Sequence, residues 1–186
     1  MCTSYHVFPE ENTEMHGIIS ELTENFPGQP VKTGRISPTD CVVVIDAQGI
    51  KPMRFGLQLP YRKGLQLNAR SETAARSPLF SPMLISHRCL VPANAFYEWT
   101  PEKKAHLFSA ADGGLLYMAA LYTMEPQGPR FVILTRAADE QVCPIHDRMP
   151  LLLQSPEYRD AWLRSPILAK ELMQLDGPVP LRRSST

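Results

Sequence analysis

Residues 102–125, EKKAHLFSAADGGLLYMAALYTME, are the longest stretch of the chain without proline, and Asp112-Gly113-Gly114 stand near their centre. Proline breaks helix interiors and central strands. This protein has 18 in 186 residues, nearly twice the ~5% average. Because even the longest clear stretch is cut by a turn, a helical bundle or a long coiled coil is excluded. Short elements joined by punctuated loops remain, an α+β fold. Residues 105–109 and 115–122 read as strands on either side of the turn, so we expect a hairpin across Asp112-Gly113-Gly114.

Outward from that segment, residues 88–91, 95–99 and 130–134 also read as strands, and the β-branched run 41–45 reads as a buried one. Residues 65–70 alternate, with Leu67 and Ala69 on one side and Gln66, Asn68 and Arg70 on the other; a short helix is expected to open at Ser71. A longer helix is predicted over residues 10–26. There Met15, Ile18, Ile19, Leu22 and Phe26 recur on one face, Glu10, Glu11 and Glu14 suit the helix start, and Pro27-Gly28 ends it. Ser155 is the expected N-cap of a last helix over 156–163. No internal repeat is present.

At this length one core suffices without staples, because folding buries about 70% of the unfolded chain's surface. We therefore expect one domain over residues 1–176 and a frayed tail over 177–186. The longest apolar run, residues 115–122, is too short to span a membrane, which takes about 20 residues. No basic, apolar leader follows Met1, and the expectation is a soluble, cytoplasmic protein, nucleoid-associated if bacterial. Four scattered cysteines (Cys2, Cys41, Cys89, Cys143) without a CxxC pair read as reduced thiols. Cys143 and His146 have a Cys-x-x-His spacing, but no second pair accompanies them, so neither a metal nor a cofactor is expected.

The 19 basic and 19 acidic residues balance, excluding a polybasic arm or an acidic tail, yet the balance is local. Residues 1–50 carry a net −5; residues 51–88 hold Lys51, Arg54, Arg62, Lys63, Arg70, Arg76 and Arg88 against Glu72 alone, a net of +6. Two readings stay open: a solvated face paired with the acidic first segment, or a basic groove for a polyanion.

Four places could carry chemistry. Removal of Met1 would leave Cys2 as an amino-terminal aminothiol, its amine titrating near 7.7–8.0 and its thiol near ~8.5. Such a group can capture an aldehyde as a thiazolidine or attack an amide with its own amine as base; equally, a second-position cysteine is often incidental. Asn68 and Arg70 project the same way from an extended segment, which suits either orienting a phosphate-bearing substrate or an ordinary strand edge. Glu98, between Tyr97 and Trp99, is either wet at a sheet rim or desolvated with a raised pKa for acid–base work. His146 opens His-Asp-Arg-Met-Pro, a motif that packing explains poorly, and titrates near working pH. His6, His16, His87 and His106 lack such company and read as surface residues.

Met1-Cys2, the Asn68-Ala69-Arg70-Ser71-Glu72-Thr73-Ala74 run, Arg88-Cys89-Leu90-Val91-Pro92 leading to Phe96-Tyr97-Glu98-Trp99, and His146-Asp147-Arg148-Met149-Pro150 occur in this order over residues 1–165. Together they resemble the SRAP family, the SOS response-associated peptidase proteins. The resemblance implies a single domain with mixed and antiparallel sheets forming a barrel-like core flanked by short helices. It implies covalent capture of abasic sites in single-stranded DNA, a DNA-damage function, by a thiazolidine on Cys2. Asn68 would position the cysteine and the sugar, Glu98 would move protons at the amine, and His146 would assist ring opening and reversal. Arg70, Arg76 and Arg148 would contact DNA. An autopeptidase activity that exposes the cysteine is also implied. Where the family starts Met-Cys-Gly-Arg, this chain reads Met-Cys-Thr-Ser. Where the family is tryptophan-rich, it reads Phe55-Gly56-Leu57-Gln58-Leu59-Pro60-Tyr61, so base stacking falls to Phe55 or Tyr61. The alternatives are a thiol peptidase or amidohydrolase using Cys2 with His146, and a non-catalytic DNA-binding module of the same fold.

Overall fold

The order in which strands pair, rather than their positions along the chain, decides what meets at the site. The computed structural model describes residues 3–61, 63–175 and 177–185, the side chain of Ser185 excepted. The elements run β1 (Tyr5–Val7), α1 (Thr13–Asn25), β2 (Gly34–Ile36), β3 (Cys41–Asp46), β4 (Gly49–Phe55), β5 (Leu57–Gln58), β6 (Leu65–Gln66) and β7 (Asn68–Arg70). There follow α2 (Ser71–Ala74), α3 (Ser81–Ser86), β8 (Arg88–Ala93), β9 (Ala95–Trp99), β10 (Ala105–Ala110), β11 (Leu116–Glu125), β12 (Gly128–Ala137) and β13 (Arg148–Pro150). The chain ends with α4 (Pro156–Arg164), α5 (Pro166–Leu172) and β14 (Leu181–Ser185).

Five strands close on themselves. β11 pairs with β8, β8 with β3, β3 with β4, β4 with β12, and β12 back with β11, so this barrel has no free edge. Val42, Val44, Met53, Phe55, Leu90, Met118, Ala120, Phe131 and Ile133 are among its fully buried residues. The tight links are β3–β4 across Ala47-Gln48 and β11–β12 across Pro126-Gln127. Beside the barrel stands an open sheet in the order β14-β10-β9-β1-β2. Residues 88–99 cross from barrel to sheet, and at the crossing Asn94 does the work of a strand partner. Its Oδ1 accepts the Phe8 N–H at 2.7 Å and its Nδ2 donates to the Phe8 carbonyl at 3.2 Å.

Several expectations are met closely. The predicted first helix begins as a 3-10 turn (Pro9–Glu11) and becomes α1 at Thr13, because Asn12 Oδ1 accepts the Met15 N–H; Met15 and Leu22 are buried on the expected face. Ser155 Oγ caps α4 by accepting the Tyr158 N–H at 3.1 Å, and α2 opens at Ser71.

Two expectations are corrected. Asp112-Gly113-Gly114 is a turn but not a hairpin: β10 pairs with β9 and β14, whereas β11 goes into the barrel. The tail expected to fray after Gly177 instead supplies β14, laid antiparallel along β10 with Phe108 opposite Arg183. Its main-chain bonds hold it, with Leu181 alone of its described residues packed against the core. Among the described residues no helix is long and apolar enough to cross a membrane.

Candidate active site

Alternation along β9 turns Phe96 and Glu98 inward and Tyr97 and Trp99 to the outer face. Glu98 is fully buried, and burial, helped by the nearby Asp147 carboxylate, pushes its carboxyl up to about 7. Of the two readings left open for Glu98, desolvation wins. β1 runs antiparallel to β9 with Tyr5 opposite Phe96, and the Tyr97 N–H donates to the Ser4 carbonyl at 3.0 Å. Continuing that register sets Thr3 opposite Glu98. Cys2, the expected nucleophile, lies outside the described residues.

Glu98 lines an open cavity of about 600 Å³ with Trp99, Cys143, Ile145, His146 and Asp147. Burial lowers the His146 pKa, so the ring is neutral near neutrality. Its Nδ1 then accepts the Arg148 N–H at 3.0 Å, which leaves the proton on Nε2. The same Nδ1 lies 2.9 Å from the Asp147 carboxylate; that approach becomes an ion pair only on protonation, and the Arg148 contact governs the neutral ring.

The remaining predicted residues gather at one end of β12. β7 runs parallel along one side, Asn68 beside Ile133 and Arg70 beside Thr135, while β13 lies along the other side with Arg148 beside Ala137. Arg148 straddles the end of the strand. Its Nη1 and Nη2 hold the Glu72 carboxylate at 2.5 and 2.9 Å, and Nη2 also donates to the Thr135 carbonyl at 2.6 Å. The Arg148 hydrogen bond holds the Glu72 carboxyl below its usual range. This clasp ties the His146 loop to the helix that follows Asn68-Ala69-Arg70, which is how stretches 76 residues apart are brought together. Asn68 is buried and Arg70 exposed; Asn68 is not among the residues lining the Glu98–His146 cavity.

The other DNA-contact expectations divide. Tyr61 is 76% exposed at the β5–β6 tip, and Arg76 is exposed after α2. Phe55 has no exposed surface: it packs in the barrel against Phe131, ring centroids 5.3 Å apart, and cannot meet a base. The basic groove from Lys51 to Arg88 does not exist as one surface. Lys51 pairs with Asp46 at 2.7 Å. Arg88 is buried and donates to the carbonyls of Leu84, Ile85, Trp162 and Leu163, closing the ends of α3 and α4. Arg62 lies outside the described residues.

Sequence reading also passed over a cluster on the outer face. His6 Nε2 and the Tyr97 hydroxyl are 2.5 Å apart, and Arg35, opposite His6 on β2, lies over the Tyr97 ring. The alternation of β1 and β9 was the available signal. Burial, then Arg35, lowers the His6 pKa. Among the described residues no group of three His, Cys, Asp or Glu side chains could hold a metal ion.

A closed barrel joined to an open sheet, with a buried glutamate facing a histidine, defines a recognisable class. The chain belongs to the SOS response associated peptidase (SRAP) family, whose model matches residues 1–183. It is 37% identical over 184 residues to the abasic site processing protein YedK of Escherichia coli, covering 90% of this chain and 82% of that one. It is 31% identical over 183 residues to YoqW of Bacillus subtilis, also named an abasic site processing protein, covering 88% and 80%. Two crystal structures share the fold. A protein from Bacteroides thetaiotaomicron has a TM-score of 0.79 at 17% identity, covering 99% of this chain and 91% of that one. One from Bordetella bronchiseptica has 0.78 at 21%, covering 100% and 99%.

Proposed function

We propose that this chain recognises abasic sites in single-stranded DNA and bonds to them through Cys2, protecting the damaged strand. The observation that carries the reading is the fully buried Glu98, its carboxyl pushed up to about 7, in one cavity with a neutral His146. The names of the relatives support abasic sites as the target.

The chemistry follows from those two protonation states. A closed abasic sugar is a hemiacetal. As the ring opens to the aldehyde, Nε2–H of His146 gives its proton to the ring oxygen, and the proton released by the anomeric hydroxyl returns through water to restore the neutral imidazole. The free amine of Cys2 adds to the aldehyde carbon. Glu98, protonated near neutrality, gives its proton to the hydroxyl that leaves as water, so an iminium forms. The Cys2 thiolate then attacks the iminium carbon and closes a five-membered thiazolidine, with one water released overall. A positioned acid of this kind contributes about 10²–10⁴-fold. Asn68 orients the nucleophile and sugar, and Arg70, Arg76 and Tyr61 contact the strand.

Incubation with an oligonucleotide bearing one abasic site tests this on a denaturing gel. A retarded band is expected from the wild-type chain and none from Cys2→Ala. A band that persists in Cys2→Ala, or none from the wild type, overturns the reading. Turnover of amide substrates without reaction towards abasic DNA would favour the thiol amidohydrolase instead.

A further inference from the structure

Arg35 is the charged group that the proposed mechanism leaves unused and that the fold has nonetheless placed with care. It stands exposed on the edge strand β2. Its Nε donates to Ser4 Oγ at 3.1 Å, one residue from the start of the described chain. Its guanidinium carbon lies 4.8 Å from the Tyr97 ring centroid and 5.9 Å from that of Trp99. Tyr97 and Trp99 themselves stack, centroids 5.6 Å apart, and His6 packs edge-on against Tyr97. Among the described residues no carboxylate pairs with Arg35, and Nη1 and Nη2 have no hydrogen-bond partner. A cation therefore sits over two aromatic rings, its Nε bonded to Ser4 and its two Nη groups without a partner among the described residues. That is the geometry that receives two oxygens of a phosphate.

Trp99 connects this platform to the chemistry. One ring lies under Arg35, and the same residue lines the Glu98–His146 cavity. An anion on the Arg35 prongs thus sits beside the mouth of that cavity, on the opposite side of β9 from the Glu98 carboxyl. We infer that Arg35, seated on Tyr97 and Trp99, binds the DNA phosphodiester that flanks the captured sugar. This rests on the proposed reading of single-stranded DNA as the partner; it adds where the strand enters and which cation fixes it. Arg35 acts by binding the strand and does not touch the reacting atoms.

The experiment measures affinity for an undamaged single-stranded oligonucleotide against salt, for the wild type, Arg35→Ala and Arg35→Lys, alongside crosslinking to the abasic oligonucleotide. Each phosphate neutralised on a single strand contributes about 0.7 to the slope of log affinity against log salt. Arg35→Ala is expected to flatten the slope by about 0.7 and to leave the crosslinking rate at saturating DNA within about two-fold. Arg35→Lys should keep the slope. A neutral methylphosphonate walked along the strand should weaken wild-type binding at one position where it no longer weakens Arg35→Ala. An unchanged slope in Arg35→Ala, or equal methylphosphonate effects in both proteins, overturns the assignment while crosslinking by the wild type keeps the functional reading. Absence of both strand binding and crosslinking sinks that reading itself. A cation that merely packs on the sheet would move the melting temperature and leave the slope unchanged.

Discussion

The barrel and the open sheet treat charge in opposite ways. In the barrel region Arg88 is surrounded by four carbonyls, Asp46 by Lys51 and the Gln48 N–H, and Arg130 by Glu125 and the Gly56 carbonyl. Burial displaces ionisable groups in both regions, but in the barrel it lowers Arg88 and raises Cys89 and Tyr122, none of which changes charge near neutrality. In the sheet and the loop that faces it, burial instead moves Glu98 upward and His146 and His6 downward. Matched charge builds a scaffold, whereas displaced charge keeps groups ready to give or take protons near neutrality. Changes in the first region are therefore expected to cost stability, and changes in the second to cost the proposed chemistry.

The strongest test of the first half is Arg88→Ala. Hydrogen bonds to a charged group are worth about 1.5–3 kcal/mol each, and water will reach some of the freed carbonyls. A net loss of roughly 3–5 kcal/mol is expected, on the order of 10 °C in melting temperature. Crosslinking well below the transition should stay near wild type; a tenfold slowing there would break the contrast.

Glu98→Gln tests the second half and should slow crosslinking at neutral pH by about 10²–10⁴-fold. The wild-type rate should fall as pH rises through about 7, because the proposed reaction uses Glu98 as an acid, and the variant should lose that limb. Stability should move the other way. A carboxyl raised from 4.5 to about 7 contributes stability that is full below its ordinary value and is lost as pH rises through 7. At pH 8 the amide variant should therefore be more stable than the wild type, by as much as about 3 kcal/mol. Urea unfolding at pH 5 and pH 8 reads this directly; equal stabilities at both values would mean that Glu98 is not held neutral.

The smallest effect expected is that of Glu72→Gln. Its carboxylate is about half exposed, so the lost ion pair should cost under about 1 kcal/mol. Because Arg148 lowers the Glu72 pKa, the contribution is present at neutral pH and disappears in acid as Glu72 protonates. Melting curves at pH 7 and pH 3 should separate wild type and variant only at the higher value. Crosslinking should change a few-fold through the loosened His146 loop.

Much of the site was legible because its groups sit on short, strongly patterned stretches. The period of α1, the alternation of β9 and the His-Asp-Arg-Met-Pro run each point to residues that the fold uses. Pairing was less legible. A local turn such as Asp112-Gly113-Gly114 reveals that the chain reverses, not which strand will accept it. β14 carries Arg182, Arg183 and Ser184, which look like a solvated end, yet an edge strand needs only its backbone to dock. Counting Arg88 into a basic stretch failed because position along the chain carries no information about burial. Phe55 failed likewise: the residues preceding it include Pro52 and Arg54, which obscure the inward face of β4. The setting of Arg35 is not legible locally because its partners come from elsewhere in the chain: Ser4 just before β1, and Tyr97 and Trp99 on β9.

The Arg88 contacts have a consequence for how far this protein can drift. All four acceptors are main-chain carbonyls, which every amino acid supplies alike. The two helices can therefore exchange their outward side chains freely so long as each ends where it does. Diversity is permitted on that flank by a single residue that is itself denied it.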